Sequence, residues 1–96
     1  MSNSSVYIVT ATPASEKAEA DKLYWNSDGY TVRGTTWTPL LCEVEAFAEE
    51  TDAIELKEKL QKMIDETENK KRLIVKDVTI EVLDRKKLLI AKMKGT

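Results

Sequence analysis

Between Thr51 and Asn69 the apolar residues Ala53, Leu56, Leu60, Met63 and Ile64 recur at three- and four-residue intervals, and this stripe constrains the fold more than any other feature of the chain. Such spacing puts the side chains on one side of an α-helix, which must bury that side against another element. Thr51 or Asp52 can accept a hydrogen bond from an otherwise unpaired first-turn amide. Glu49, Glu50 and Asp52 suit the positive end of the helix dipole. On the opposite side Glu55 pairs with Lys59, Glu58 with Lys62 and Lys62 with Glu66, so that side faces water. The pattern predicts a helix from Asp52 to Thr67, ending near Thr67 to Asn69.

The surface that receives this helix has to come from short, β-branched or aromatic segments. Val6 to Thr10 reads as a first strand that Pro13 stops. Ser15 to Lys22 has good helix formers but few apolar residues, and reads as a solvated loop or helical turn. Leu23-Tyr24-Trp25 and Tyr30-Thr31-Val32 flank Asn26-Ser27-Asp28-Gly29, a hairpin signal in which the glycine tolerates positive φ. Thr35 to Thr38 is extended until Pro39. Leu40 to Phe47 fits neither period cleanly and reads as irregular or partly helical.

Arg72 to Leu83 is strand-like, with Ile74, Val78, Ile80 and Val82 on one face and Thr79 and Glu81 on the other. Asp84-Arg85-Lys86 then turns the chain, and Lys87 to Met93 is predicted as a final strand. That strand would point Leu89, Ala91 and Met93 inward and leave Leu88 and Ile90 outward. A short helix capped by Asp84 is the rival reading. The expected class is therefore α+β: a mostly antiparallel sheet of four to five strands with one main helix packed on one face. It spans residues 1–96 as one domain with short tails at 1–5 and 95–96.

Composition narrows the function by exclusion. The chain has 96 residues, 33% of them charged, with no histidine and one cysteine. Lack of histidine removes the usual general base, nucleophile activator and transition-metal ligand. Cys42, beside Leu41 and close to Val44, reads as a small buried hydrophobe. Asn26-x-Asp28-Gly29 resembles part of a calcium loop, but the first ligand position would be Tyr24 and the twelfth Thr35, neither a carboxylate, so it is a turn. The three glycines lack phosphate-loop spacing. No catalytic residue, metal site or cofactor is expected. The unpaired cysteine, the polar start and the lack of a long apolar run predict a cytoplasmic protein with no membrane association.

Charge is distributed unevenly along the chain. Residues 1–69 carry 14 acidic and 6 basic side chains, a net of −8, whereas residues 70–96 carry 3 acidic and 9 basic ones, a net of +6. The basic set is Lys70, Lys71, Arg72, Lys76, Arg85, Lys86, Lys87, Lys92 and Lys94. With the last two strands paired, these lysines and arginines would divide between two ends of the sheet, mostly as solvation and edge protection. The aromatic concentration of Tyr24, Trp25, Tyr30 and Trp37 lies in the acidic half, which favours core packing over stacking on nucleic-acid bases.

From Tyr24 to Ala53 the order is an aromatic strand, a turn at Gly29, Trp37-Thr38, Val44, Phe47 and Ala53 opening an amphipathic helix. This order resembles small orphan proteins of bacteriophages and prophages. The stretch Val32 to Thr36 separates the turn from Trp37, a departure from many members of that group. The resemblance implies a protein that binds and inhibits a host protein, in the host cytoplasm. The expected function is thus a non-enzymatic protein-binding module, a phage-encoded modulator or inhibitor of a host, in one form a defence, protein. Its contact surface is expected at Arg85, Lys86, Lys87, Leu88, Ile90, Lys92 and Lys94, with Leu88 and Ile90 as apolar anchors. The alternative is a nucleic-acid-associated module using the same lysines.

Overall fold

A computed structural model describes residues 5–15, 20–29, 36–68 and 73–95. The central element is β1 (Ser5–Pro13), and almost every residue from Val6 to Ala11 is buried. A strand is buried on both faces only if its residues are apolar or hydrogen-bonded at both parities. β1 meets that condition with Tyr7, Val9 and Ala11 on one face and Val6, Ile8 and Thr10 on the other.

On one edge β1 pairs antiparallel with β5 (Val75–Asp84) along its whole length. Its other edge is shared by two short strands, β2 (Leu23–Trp25) opposite Thr10 and Ala11 and β4 (Ala46–Phe47) opposite Tyr7 and Ile8. β3 (Trp37–Thr38) extends the sheet beyond β2 through the pairs Tyr24 with Thr38 and Trp25 with Trp37. The architecture is the expected α+β one: among the described residues, a curled antiparallel sheet of five strands with a main helix and a short C-terminal helix.

The main helix α1 (Glu50–Glu66) lies across the face carrying Val9, Ala11 and Val78. Ala53 is completely buried there, and Leu56, Leu60 and Ile64 pack around it. The helix begins two residues before Asp52, and its N-cap is Glu49 with no side-chain capping bond, so neither Thr51 nor Asp52 caps it. Its end agrees with the sequence. Thr67 is the C-cap, and its hydroxyl donates to the Met63 carbonyl at 2.7 Å. Met63, counted in the apolar stripe, is 58% exposed.

β5 departs from simple alternation. Thr12 pairs with Asp77 but Pro13 pairs with Val75, leaving Lys76 as an extra residue. Proline has no N–H to continue a ladder, and a bulge opposite it accommodates the break. The added residue returns Val75 to the face of Val78, where both are buried, and turns Ile74 out to 60% exposure. Val78 and Ile80 face α1 as expected. Val82 shares their parity but is 64% exposed.

The main correction concerns the C-terminus. Arg85–Lys94 is a helix, α2, not a strand. Asp84 stops the strand and caps the helix, its carboxylate accepting from the Lys86 amide at 2.8 Å. Residues 85–94 are mostly good helix formers, and Gly95 closes the helix at φ 71°, a left-handed value glycine adopts freely. α2 covers the second face of the sheet, where Leu88 joins Val6, Ile8 and Val44 in a second core. No helix among the described residues is long and apolar enough to cross a membrane.

Candidate functional site

Around the second core, the residues between β3 and β4 form a platform for α2. Leu41–Glu43 is a 3₁₀ turn, resolving a stretch whose sequence fits neither period. The Thr38 hydroxyl donates to the Glu43 carboxylate and accepts from the Leu40 amide at 3.2 Å. Asn26 donates its side-chain amide to the Glu43 carbonyl at 2.7 Å. These bonds position the Cys42 carbonyl, which accepts from the Lys92 ammonium at 3.1 Å and ties α2 to the turn. Cys42 is half-buried, more exposed than its apolar neighbours suggest.

The Asn26–Gly29 segment is the turn that the sequence indicates. Asn26 Oδ1 accepts from the Asp28 amide at 3.0 Å, and Gly29 sits at φ 68°. The predicted partner strand Tyr30–Val32 lies outside the described residues. On the edge away from β1, β2 pairs with Trp37-Thr38, and Trp25 and Trp37 meet edge to face at 5.1 Å between ring centroids. That contact places both indoles against the α1 core, as packing predicts.

Of the seven residues expected at a contact surface, all stand on α2, and the helix changes how they are presented. An α-helix turns about 100° per residue, so Leu88 and Ala91 fall on one side and Lys86, Leu89, Ile90 and Met93 on the other. Burial follows that division: Leu88 and Ala91 are 5% and 8% exposed, whereas Leu89, Ile90 and Met93 are 58%, 50% and 79% exposed. Leu88 is therefore a core residue and cannot be an outward anchor. Ile90 is outward as expected, and Leu89 and Met93 join it although a strand period sent them inward. Arg85, Lys86, Lys87, Lys92 and Lys94 are all exposed, and α2 contains no acidic residue.

Arg85, Lys86, Lys87 and Lys94 stand on or beside the outer side of the helix, whereas Lys92 bonds inward to the Cys42 carbonyl. Lys70, Lys71 and Arg72 lie outside the described residues, and Lys76 is exposed at the bulge. On the same sheet face as α2, the Lys22 ammonium meets the Glu81 carboxylate at 2.6 Å. This bond, with the Coulombic attraction of Glu81 and Tyr24, raises the Lys22 pKa above its ordinary value despite an opposing contribution from burial.

A second feature lies on the α1 side. An open apolar groove of about 300 Å³ runs between the C-terminal half of α1, the start of β5 and the two tryptophans. The chain matches no protein-family model, no curated protein and no solved structure.

Proposed function

We propose that this chain is a non-enzymatic protein-binding module that presents the outer side of α2 to an acidic partner surface. The observation that carries this reading is a ten-residue helix with apolar residues on both sides. Its inner side is anchored by Leu88 and Ala91. Its outer side holds Leu89, Ile90 and Met93 in water, surrounded by Arg85, Lys86, Lys87 and Lys94. Core contacts account for the first set but not the second. An apolar centre with a charged rim is the usual composition of a protein contact, and a helix side of this kind suits a groove. With four cations around that side and no acid on the helix, charge complementarity favours an acidic rim on that groove.

The finer form of the proposal, a phage- or prophage-encoded modulator or inhibitor acting on a host protein, is supported by the resemblance at Tyr24 to Ala53. Nucleic-acid binding through the same lysines is the competing class, but the exposed Leu89, Ile90 and Met93 at the centre of the cations suit an apolar contact better than a phosphate backbone. The test compares the native chain with a Leu89→Ser/Met93→Ser variant, whose changes lie away from both cores, in cross-linking capture and in titrations with single- and double-stranded DNA. A partner protein captured by the native chain, lost with the variant and bound directly once purified is the expected result. A partner held equally by both would overturn the reading. So would DNA binding that falls steeply between about 50 and 200 mM salt and is indifferent to the serine changes.

A further inference from the structure

We infer that α2 is a hinged arm, which opens at Asp84 while the rest of the chain stays folded. Its hold on the body is confined to one turn. Leu88 and Ala91 are buried, the other eight residues of the helix are exposed, and Lys92 adds one bond to the Cys42 carbonyl. α1, by comparison, meets the first core with Ala53, Leu56, Leu60 and Ile64 over about three turns, and Gln61 hooks it to β5. Burying one leucine and one alanine stabilises far less than the apolar contacts that close the first core. The two helices therefore leave the sheet at different costs.

The connection to the body permits a separate opening. β5 ends at Asp84 and α2 begins at Arg85 with no residue between them, so the path of the helix is set by the backbone dihedrals of one residue. The pairing of β5 with β1 ends at Asp84 opposite Ser5, and opening leaves that ladder whole. Both ends of α2 are satisfied locally, by the Asp84 carboxylate and by the Gly95 amide, which donates to the Ala91 carbonyl. Off the sheet a ten-residue helix is marginal in water, so undocking and unwinding go together. A unit held this lightly opens far more often than the whole domain unfolds. The open form bares Leu88 and Ala91 beside Leu89, Ile90 and Met93, which offers a partner groove five apolar residues in place of three. That consequence rests on the contact proposed above, whereas the opening does not.

Hydrogen exchange of the whole chain at low urea concentrations, followed residue by residue by nuclear magnetic resonance, tests the arm without a partner. Its failure would leave the α2 contact standing, and a failed capture experiment would leave the arm standing. The amides of Leu89 to Met93 should share one protection factor and one shallow urea dependence, with protection at least about tenfold below that of β1. Ala53→Gly weakens α1 where it meets the sheet, and should cut protection in β1 by roughly fivefold while leaving α2 unchanged. Leu88→Ala removes the anchor and should cut protection in α2 by at least about tenfold. Equal protection in α2 and β1, or a loss in α2 that follows β1 in Ala53→Gly, overturns the arm. Protection that falls away residue by residue toward Lys94 with no urea dependence does so as well, because that is fraying of a fixed helix.

Discussion

Thr10 shows how a polar side chain enters the core of this protein at low cost. It is 1% exposed, and its hydroxyl shares a 2.9 Å hydrogen bond with that of Thr79, its cross-strand neighbour. Replacing Thr10 with Val should cost about 1 kcal/mol, within the range of one net hydrogen bond, because the exposed Thr79 can turn to water. Urea denaturation would measure it. Ala53 sets a different limit: it is fully buried where α1 meets the sheet, so Ala53→Leu should destabilise by about 1–3 kcal/mol through overpacking.

The Lys22–Glu81 pair adds a pH-dependent contribution. Because the folded pKa of Lys22 is raised, the contribution is fully present below the unfolded value of about 10.5 and is lost as pH rises through the folded value. Both side chains are about two-fifths exposed, which keeps the contribution below about 1 kcal/mol. A native-minus-Glu81→Gln difference in denaturation midpoint should be positive at pH 8 and shrink as the pH rises past the unfolded value of about 10.5. An unchanged difference would show that the ion pair is not its source.

At the scale of elements, Gln61 joins α1 to β5. Its side-chain oxygen accepts from the Val78 amide at 2.9 Å while its nitrogen donates to Asp65 at 3.1 Å. Among the described residues β5 pairs with no strand other than β1, and the glutamine gives the Val78 N–H an acceptor. Gln61→Ala should cost about 1–2 kcal/mol and speed amide exchange at Val78, whereas Gln61→Glu, which keeps an acceptor, should preserve most of that protection. The identity of the last element rests on equally local chemistry. Asp84→Ala removes the α2 cap and should cost about 1 kcal/mol, with faster exchange in the first turn of α2 and little change in α1.

In the whole molecule, β1 separates two cores, one closed by α1 and the other by α2. Removing residues 85–96 would uncover Val6, Ile8 and Val44 as well as delete Leu88, at an expected cost of at least about 3 kcal/mol against the 5–15 kcal/mol typical of a domain. Calorimetry or a urea titration would measure the loss. The first strand, α1 and the Asn26–Gly29 turn were legible in sequence because periodicity, end signals and glycine chemistry act within a few residues. The edges that β1 offers to its neighbours, the 3₁₀ turn beneath α2 and the bulge at Lys76 depend on partners far along the chain.

The proposed contact surface shows the same division. Its cations and apolar residues can be counted along the chain, since composition is local. Which apolar residues reach water depends on whether the segment turns by a helical or a strand period. With helix and strand both compatible with Arg85–Lys94, docking of Leu88 onto Val6, Ile8 and Val44 supports the helix, which buries Ala91 beside it and leaves Leu89, Ile90 and Met93 outside.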